Sequence, residues 1–419
     1  VDYTQYFKER NYLLGTSMYM SYVDGSAEAI KRTQMSSARY FQRPDAGHVK
    51  MDETRTSLSG FGGKLQAGKV GGNWNFLLMS NWKSPGLEIN DLGFMRQADW
   101  FINVLWTGYN FTEPFSIFRS LHLNHDVYTV SDFGGSLLNS GYEWNVNANL
   151  KNFWNAGIGG GYEFINTSNT ILRGGPSMRL PAGWRLWSRV SSDSRKKLSG
   201  SLRSNINGKS EDVSRSYSLG ASLTIRPANT LRISISPDYS IRSDEFQYVA
   251  QRNFNDQKRY LFGKIDQKVL SMSLRINYTI IPDLTIQYWG QPFIATGGYS
   301  NFKMITDPKA AKLTDRYHEY TSDQLTNENG YYRIDENRDG SYDYNFGVPD
   351  FSISEWLSNL VIRWEFMPGS TAYLVWSQSR DYNRSSGEFQ VWNNLDALFT
   401  GKRANDVFLL KISYRFGIR

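Results

Sequence analysis

Apolar and polar residues alternate along most of this chain. Residues 270–280 alternate for eleven positions without a break, and residues 408–416 repeat the pattern near the C-terminus. A period of two is that of a β-strand, whose successive side chains point to opposite faces of a sheet. The pattern predicts an all-β protein whose strands each have one apolar face and one polar face.

Seventeen candidate strands follow from this alternation. They cover residues 11–23, 28–41, 57–69, 73–83, 98–110, 115–127, 139–151, 154–166, 177–191, 196–207, 213–225, 230–242, 268–280, 284–296, 354–366, 371–381 and 405–417. Most are longer than the five or six residues that are typical of soluble sheets, and their length suits tilted strands that cross a bilayer. We therefore predict a transmembrane antiparallel β-barrel of the outer-membrane type, with a large soluble β-protein as the alternative.

The connections between these strands alternate between short and long. The long connections are residues 42–56, 84–97, 243–267, 297–353 and 382–404. Outer-membrane barrels keep short turns in the periplasm and long loops outside the cell. The pattern thus predicts one barrel domain over residues 1–419 in the outer membrane of a Gram-negative cell, bounded by outer-membrane lipid, with these loops extracellular and the C-terminus periplasmic.

The predicted number of strands is odd. Single-chain bacterial barrels have an even number, so the complete barrel is expected to have at least 18 strands. On this argument the chain is the C-terminal part of a longer protein. The count depends on residues 177–191, where Pro181 to Gly183 offers a turn as an alternative to a bulge.

Composition narrows the classes of function. The chain has no cysteine, which excludes disulfides, thiolate metal sites and cysteine nucleophiles. It has 47 Lys and Arg residues and 40 Asp and Glu residues, which gives a net charge of +7. The basic residues are scattered along the chain, so no nucleic-acid partner is expected. The 13 Trp, 26 Tyr and 24 Phe residues suit the aromatic girdles of a membrane barrel.

No catalytic site is predicted in this chain. His122 and His125 lie three positions apart on a predicted strand and therefore face opposite sides. The glycine-rich run from Gly157 to Gly161 lies inside a strand with no helix after it, which favours close packing over phosphate binding.

Several strings of the sequence are similar to a known family. They are Tyr40-Phe-Gln-Arg-Pro-Asp-Ala46, Ser57-Leu-Ser-Gly-Phe-Gly-Gly63, Ser84-Pro-Gly-Leu-Glu-Ile-Asn-Asp-Leu-Gly-Phe94, Arg173-Gly-Gly-Pro176, Asn359-Leu-Val-Ile-Arg-Trp-Glu-Phe-Met-Pro-Gly-Ser370, Leu374-Val-Trp-Ser-Gln378 and Leu410-Lys-Ile-Ser-Tyr-Arg-Phe416. Together they resemble the C-terminal barrel of a Bacteroidota outer-membrane family of unknown function. The resemblance implies an N-terminal domain, upstream of this chain, that is similar to a carbohydrate-binding module of family nine.

This resemblance leaves the function open between three classes. The interpretation that we favour is passage or binding of a solute, such as a glycan. The alternative is a non-conducting scaffold subunit that works with other outer-membrane proteins. A carbohydrate-active enzyme would need its site in the upstream domain or in the loop 297–353.

The loop 297–353 contains a candidate calcium turn. Its oxygen donors Asp335, Asn337, Asp339 and Asp343 occupy the first, third, fifth and ninth positions of a calcium loop, and Gly340 occupies the sixth. The twelfth position is Phe346, so an EF-hand is excluded. The alternative is a turn rich in Asp, Asn and Gly that holds no metal.

The same loop is rich in tyrosine. Rings that stack on a glycan are one interpretation, and packing of the loop over the barrel mouth is the other. The candidate stacking residues are Tyr331, Tyr332, Tyr342 and Tyr344.

Basic residues recur on the predicted lumen face of the strands. They would favour an anionic solute, unless they pair with loop acids or a plug fills the lumen. The predicted lumen residues are Lys151, Arg203, Arg232, Arg275, Arg363, Lys411 and Arg415.

Overall fold

The computed structural model describes residues 1–400 and 403–417, and β-strands dominate that part of the chain. The strands are β1 (Asp2–Phe7), β2 (Tyr12–Asp24), β3 (Ser57–Lys69), β4 (Trp74–Lys83), β5 (Trp100–Phe111), β6 (Phe118–Ser131), β7 (Leu137–Leu150), β8 (Asn155–Ser168), β9 (Met178–Arg179), β10 (Gly183–Ser191), β11 (Leu198–Lys209), β12 (Ser214–Ala228), β13 (Leu231–Phe254), β14 (Gln257–Ile281), β15 (Leu284–Ile305), β16 (Tyr317–Glu319), β17 (Leu325–Glu328), β18 (Tyr331–Ile334), β19 (Tyr344–Gly347), β20 (Phe351–Met367), β21 (Ser370–Arg384) and β22 (Asn405–Ser413). Two α-helices, α1 (Ala27–Met35) and α2 (Val391–Thr400), lie in connections.

Seventeen of the described strands form one antiparallel meander. Each strand from β1 to β8, then β10 to β15, then β20 to β22, pairs with the next strand of that series. Short strands β9 and β16 add to β8 and β15, and β17, β18 and β19 form a separate small sheet. The predicted all-β antiparallel architecture is confirmed.

The meander has two different ends. The connections β1–β2, β3–β4, β5–β6, β7–β8, β10–β11, β12–β13, β14–β15 and β20–β21 are all short and lie at one end, which we call the turn end. The long connections, with both helices, lie at the opposite end, the loop end. Three connections at the loop end are also short, namely residues 132–136, 210–213 and 255–256, so the predicted alternation of short and long connections holds only in part.

The edges of the meander are unpaired among the residues described. Strand β1 pairs only with β2, and β22 pairs only with β21. The pairing that would close the predicted barrel is not found. Both edge strands run toward the turn end, so they point in the same direction.

The two faces of the sheet differ in character. Across β7, β8, β10, β11 and β12, one row of neighbours consists of Asn145, Gly159, Trp187, Asn205 and Ser218. The row one residue away, on the other face, consists of Trp144, Gly160, Leu186, Ile206 and Tyr217. We call these the polar face and the apolar face, and the predicted alternation along each strand is their origin.

Large side chains of the apolar face are exposed. Leu105 is 56%, Leu219 59% and Phe408 70% exposed. The buried apolar clusters of the described residues lie instead at the loop end, for example around Phe262 and around Ile334. The strands thus turn their apolar side chains away from any protein core.

The prediction of a strand over residues 28–41 is wrong. This segment begins with helix α1, whose N-terminus is capped by the Ser26 hydroxyl, which accepts a hydrogen bond from the Ala29 backbone nitrogen at 3.2 Å. Ile30 and Gln34, four residues apart, form its buried face. The meander still has seventeen strands, the predicted number, because β1 is an additional strand that the pattern does not predict and it replaces the strand predicted over residues 28–41.

Three predicted loops contain regular structure. Residues 243–267 extend β13 and β14, which meet in a tight turn at Asn255 and Asp256, both with positive φ. The predicted loop 297–353 contains the end of β15 and the small sheet, and the predicted loop 382–404 contains α2. Pro181 interrupts the predicted strand 177–191, which is split into β9 and β10.

Neither described helix has the length and apolar character that are needed to cross a membrane.

Candidate functional site

Five of the seven predicted lumen residues share the polar face of the sheet. Cross-strand register places Arg203, Arg232, Arg275, Arg363 and Lys411 on this face. The other two lie outside the strands: Lys151 is in the turn after β7, and the backbone nitrogen of Arg415 donates to the Ser370 hydroxyl at 3.1 Å after β22.

Two of these basic residues are paired with acids. Arg203 lies 2.9 Å from Asp238, and Arg363 lies 2.6 Å from Glu365. Both acids lie on the strands themselves and not in the long loops. The net positive charge of this part of the polar face is therefore smaller than the basic residues alone suggest.

The glycine-rich run of β8 lets bulky side chains pack against the polar face. A Cβ atom on Gly159 would lie 2.7 Å from the Trp187 ring and 2.7 Å from the Cβ atom of Asn145. A Cβ atom on Gly157 would lie 3.1 Å from the Arg189 side chain. The predicted packing role of these glycines is confirmed.

A small cavity lies on the polar face near the loop end. Its volume is about 280 Å³, and we call it the wall cavity. Charged residues of both signs line it, and Arg185 forms an ion pair with Glu143 there. The lining side chains with polar groups include Tyr128, Glu143, Glu163, Arg185, Asn207 and Lys209.

Above the strands, the connections 25–56, 84–99, 169–182 and 306–350 pack on one another, and we call this assembly the loop cap. Two of the strings that carry the family resemblance meet in it. Gly174 has a φ of +96°, and a Cβ atom on it would lie 2.4 Å from the Gln42 side chain. The Asp45 carboxylate accepts a hydrogen bond from the Ser177 backbone nitrogen at 2.8 Å and pairs with Lys309 at 2.7 Å.

These contacts lower the pKa of Asp45. Burial raises that pKa, but the hydrogen bonds from Lys309 and Ser177 outweigh the effect of burial. The carboxylate is thus held ionised at neutral pH, where it joins three segments of the loop cap.

Two further strings of the resemblance also touch each other. A Cβ atom on Gly60 of β3 would lie 2.0 Å from the backbone nitrogen of Leu87. Arg39 donates to the Leu87 carbonyl and to the Glu88 carboxylate, the latter at 2.9 Å. Burial lowers the pKa of Arg39, and the charge of Glu88 opposes this effect.

Asp99 joins three connections of the loop end. Its carboxylate pairs with Arg43 at 2.6 Å and with His48 at 2.8 Å, and it accepts a hydrogen bond from the Phe133 backbone nitrogen at 3.0 Å. Asp132 lies close enough that His48, Asp99 and Asp132 offer three metal-ligand atoms within 4.8 Å of one another. Arg43 neutralises the charge of Asp99, and the group has a structural role, because it joins three connections of the loop end.

A larger cavity lies between the loop cap and the strands. Its volume is about 540 Å³, and we call it the cap cavity. Residues from three connections and from strands β11 and β13 form its lining. They are Ser37, Tyr40, Arg96, Gln97, Thr170, Ile171, Arg173, Lys209, Arg242, Asp244, Phe246, Gln247 and Tyr248.

The chemistry of the cap cavity combines cations with aromatic rings. The guanidinium carbon of Arg173 lies 4.0 Å from the centre of the Tyr248 ring, in a cation–π contact. Burial raises the pKa of Tyr40, and the charge of Arg173 opposes this effect. Sequence reasoning missed this site, although Tyr40 and Arg173 both stand in strings that were singled out.

The predicted calcium turn forms hydrogen bonds within itself. The Asp335 carboxylate accepts from the backbone nitrogens of Asp339 at 3.1 Å and Gly340 at 2.8 Å. Asp343 accepts from the Glu336 backbone nitrogen at 2.7 Å. In the described part of the chain, the three carboxylates of this turn do not form a group as close as that around Asp99. Calcium binding here stays a prediction.

The four candidate stacking tyrosines divide into two pairs. Tyr344 is buried and its hydroxyl lies 2.8 Å from that of Tyr320, while the Tyr332 ring stacks on Phe346 with centres 5.2 Å apart. Tyr331 and Tyr342 are 51% and 52% exposed. A role in glycan stacking therefore stays a prediction that depends on the exposed pair.

Comparison with known proteins gives a family. Residues 24–416 match a family described as a domain of unknown function, DUF5916. No curated protein matches the chain. A solved chain described as a bacterial polysaccharide outer membrane secretin is similar with a TM-score of 0.31 and 7% identity, over 78% of this chain and 87% of that one. The family match extends over almost all of the sequence, and the protein therefore belongs to the DUF5916 family.

Proposed function

We propose that this protein is an integral outer-membrane β-barrel that captures or passes an anionic solute. The exposed apolar face of the meander is the observation that carries the proposal. Burial of one large apolar side chain contributes about 1.5–3 kcal/mol, so a sheet that exposes many of them to water gives up much of its driving force for folding. Lipid around the strands would cover this face.

The polar face would then line the interior. It carries Arg232, Arg275 and Lys411, and among the described residues these side chains have no acidic partner. In a water-filled interior, cations without an acidic partner favour anions. The loop end would face outward and the turn end would face the periplasm, as in other outer-membrane barrels.

A scaffold without conductance is the second candidate function. The packing of the loop cap favours it, because hydrogen bonds and ion pairs join connections that are distant in the sequence. Arg39 joins the connection 25–56 to the connection 84–99, and Asp45 joins it to residues Ser177 and Lys309. We propose no catalytic activity for this chain.

Planar-bilayer recordings test the proposal. Purified protein should need detergent for solubility, insert into bilayers and show conductance steps that are selective for chloride over potassium. A scaffold would insert without conductance and would copurify with other outer-membrane proteins in a fixed ratio. Protein that stays soluble and monomeric without detergent would contradict both functions.

A further inference from the structure

The cap cavity has a surplus of positive charge. Four cations, Arg96, Arg173, Lys209 and Arg242, line it together with one acid, Asp244. Asp244 is already paired, because one of its oxygens lies 2.7 Å from Arg242. The other three cations are the subject of this inference.

In the described part of the chain, Arg96, Arg173 and Lys209 form no direct ion pair, although the charges of Asp244 and Glu163 act on Lys209. Within residues 1–400 and 403–417, none of their side chains forms an ion pair, and none donates a hydrogen bond. Other arginines of the loop cap are paired, as Arg39 is with Glu88 and Arg43 with Asp99. The cap cavity thus differs from its surroundings in leaving donors unused.

The position of Arg173 is fixed by the Tyr248 ring beneath it, 4.0 Å from the guanidinium carbon. A guanidinium that stacks on an aromatic ring keeps the N–H groups at its edge available for a planar oxyanion. Close packing of Gly174 against Gln42 and of Gly175 against Tyr260 holds the segment in place. The N–H groups of Arg173 are therefore oriented before any ligand binds.

We propose that the cap cavity binds a ligand that carries carboxylate, sulfate or phosphate groups. Grouping like charges costs free energy unless an anion offsets their repulsion, and the oxyanion groups of a bound ligand would accept hydrogen bonds from these cations. The inference rests on the proposed capture of an anionic solute and gives that solute a binding site.

The remaining lining favours an acidic saccharide over a bare anion. Ser37, Gln97 and Gln247 supply neutral donors and acceptors for hydroxyl groups, and the volume of about 540 Å³ lies within the range of small-molecule sites. Lys209 lines both the cap cavity and the wall cavity. A ligand in the cap cavity that contacts Lys209 would therefore lie next to the wall cavity on the polar face.

Isothermal titration calorimetry of the full chain in detergent tests the site. The probes are trigalacturonate, a neutral trisaccharide of the same length and inorganic phosphate. Trigalacturonate should bind at least ten-fold more tightly than the neutral trisaccharide. Arg173→Gln and Lys209→Gln should each weaken its binding by about ten- to hundred-fold, because each removes a charge-assisted hydrogen bond.

Lys258→Gln is the matched control, since Lys258 is an exposed cation at the tip of the β13–β14 hairpin that does not line the cavity. Its binding should equal that of the wild type, and all variants should keep the wild-type circular dichroism. Binding of phosphate alone, with the same dependence on Arg173 and Lys209, would support the site and identify a phosphate-bearing ligand. No binding of any probe, or equal losses in all three variants, would overturn it.

The same variants separate this inference from the proposed function. Anion-selective conductance in bilayers together with unchanged binding in Arg173→Gln and Lys209→Gln would refute the site and leave the barrel proposal standing. Binding that depends on both residues in a protein that does not insert into bilayers would refute the barrel proposal and leave the site standing.

Discussion

Arginine side chains serve two purposes at the loop end. Arg316 is buried and donates to the carbonyls of Ala310, Ala311 and Arg179 at 2.8–2.9 Å, so it closes a connection that has few backbone hydrogen bonds of its own. Arg173 lies on an aromatic ring and leaves its N–H groups open to the cap cavity. The difference between a structural and a ligand-binding arginine is thus set by which acceptors surround it.

A methyl group added at Gly60 tests how closely β3 packs against the loop cap. In Gly60→Ala, the added methyl group would collide with backbone atoms of Gly86 and Leu87, which have no freedom to rotate away. Overpacking of this kind costs about 1–3 kcal/mol. We expect chemical unfolding in detergent, followed by tryptophan fluorescence, to show a loss of that size.

Gly47→Ala is the control for this substitution. Gly47 lies in the same region of the loop cap, and a Cβ atom there meets nothing within 4 Å. Its unfolding free energy should stay within about 0.5 kcal/mol of the wild type. A loss in Gly60→Ala that is no larger than the loss in Gly47→Ala would contradict the contact between Gly60 and Leu87.

Asp45 makes the loop cap sensitive to acid. Its pKa in the folded protein lies below the ordinary value of 3.8, so its stabilising contribution is complete above that value and is lost as the pH falls through the folded pKa. Hydrogen exchange of residues 36–56, corrected for intrinsic rates, should be faster in Asp45→Asn than in the wild type at pH 7. The difference should narrow as the pH falls below 3.8, and a constant difference would contradict this role of Asp45.

At the scale of elements, alternation predicted strands well wherever one face is polar and the other apolar. The prediction of a strand is wrong for residues 28–41. Capping by Ser26 and the burial of Ile30 and Gln34, four residues apart, favour a helix there. Alternation also predicts a loop over the extensions of β13 and β14, although the turn residues Asn255 and Asp256 are visible in the sequence.

The cap cavity was beyond prediction from local patterns. Its formation depends on contacts such as that between Asp45 and Ser177, which are separated by 132 residues. Strand periodicity gives no information on how two long connections dock. The basic lumen residues are predicted from the alternation within each strand. Since that alternation sets the face of each side chain, the structure places most of them on one face.

An ion pair attaches the small sheet β17–β19 to the long hairpin, together with a hydrogen bond from Arg252 to the Asn345 carbonyl at 2.6 Å. Arg259 of β14 holds Glu336 through its Nε and a terminal nitrogen at 2.9–3.0 Å, and both side chains are largely buried. Removing one partner of such a pair leaves a charge without compensation. In Arg259→Ala, we expect hydrogen exchange of residues 331–334 and 344–347 to show a local loss of about 2–3 kcal/mol.

Arg333→Ala is the matched control within the same sheet. Arg333 pairs with Glu328 at 3.2 Å, but both side chains are exposed to solvent, and such pairs contribute at most about 1 kcal/mol. Equal protection in the two variants would mean that the apolar cluster around Ile334 and Phe346 holds the sheet without Arg259.

At the scale of the whole molecule, burial is distributed unevenly. The buried clusters around Phe262, Ile334, Leu87 and Ile30 all belong to the loop end. Below them the strands have a polar face on one side and exposed apolar side chains on the other. In the proposed barrel, lipid would cover these exposed apolar side chains and so stabilise the arrangement.

Two neighbouring residues of β12 put this claim to its sharpest test. Leu219 lies near the middle of the strand on the apolar face and is 59% exposed, while Ser218 lies on the polar face. If lipid covers the apolar face, Leu219→Lys should cost about 2–4 kcal/mol of unfolding free energy in lipid vesicles, because a charge near the bilayer midplane is poorly solvated. Ser218→Lys should cost less than about 1 kcal/mol, since a water-filled interior accepts the charge. Urea titrations of both variants measure these values, and a larger cost for Ser218→Lys would show that the sheet is oriented the other way.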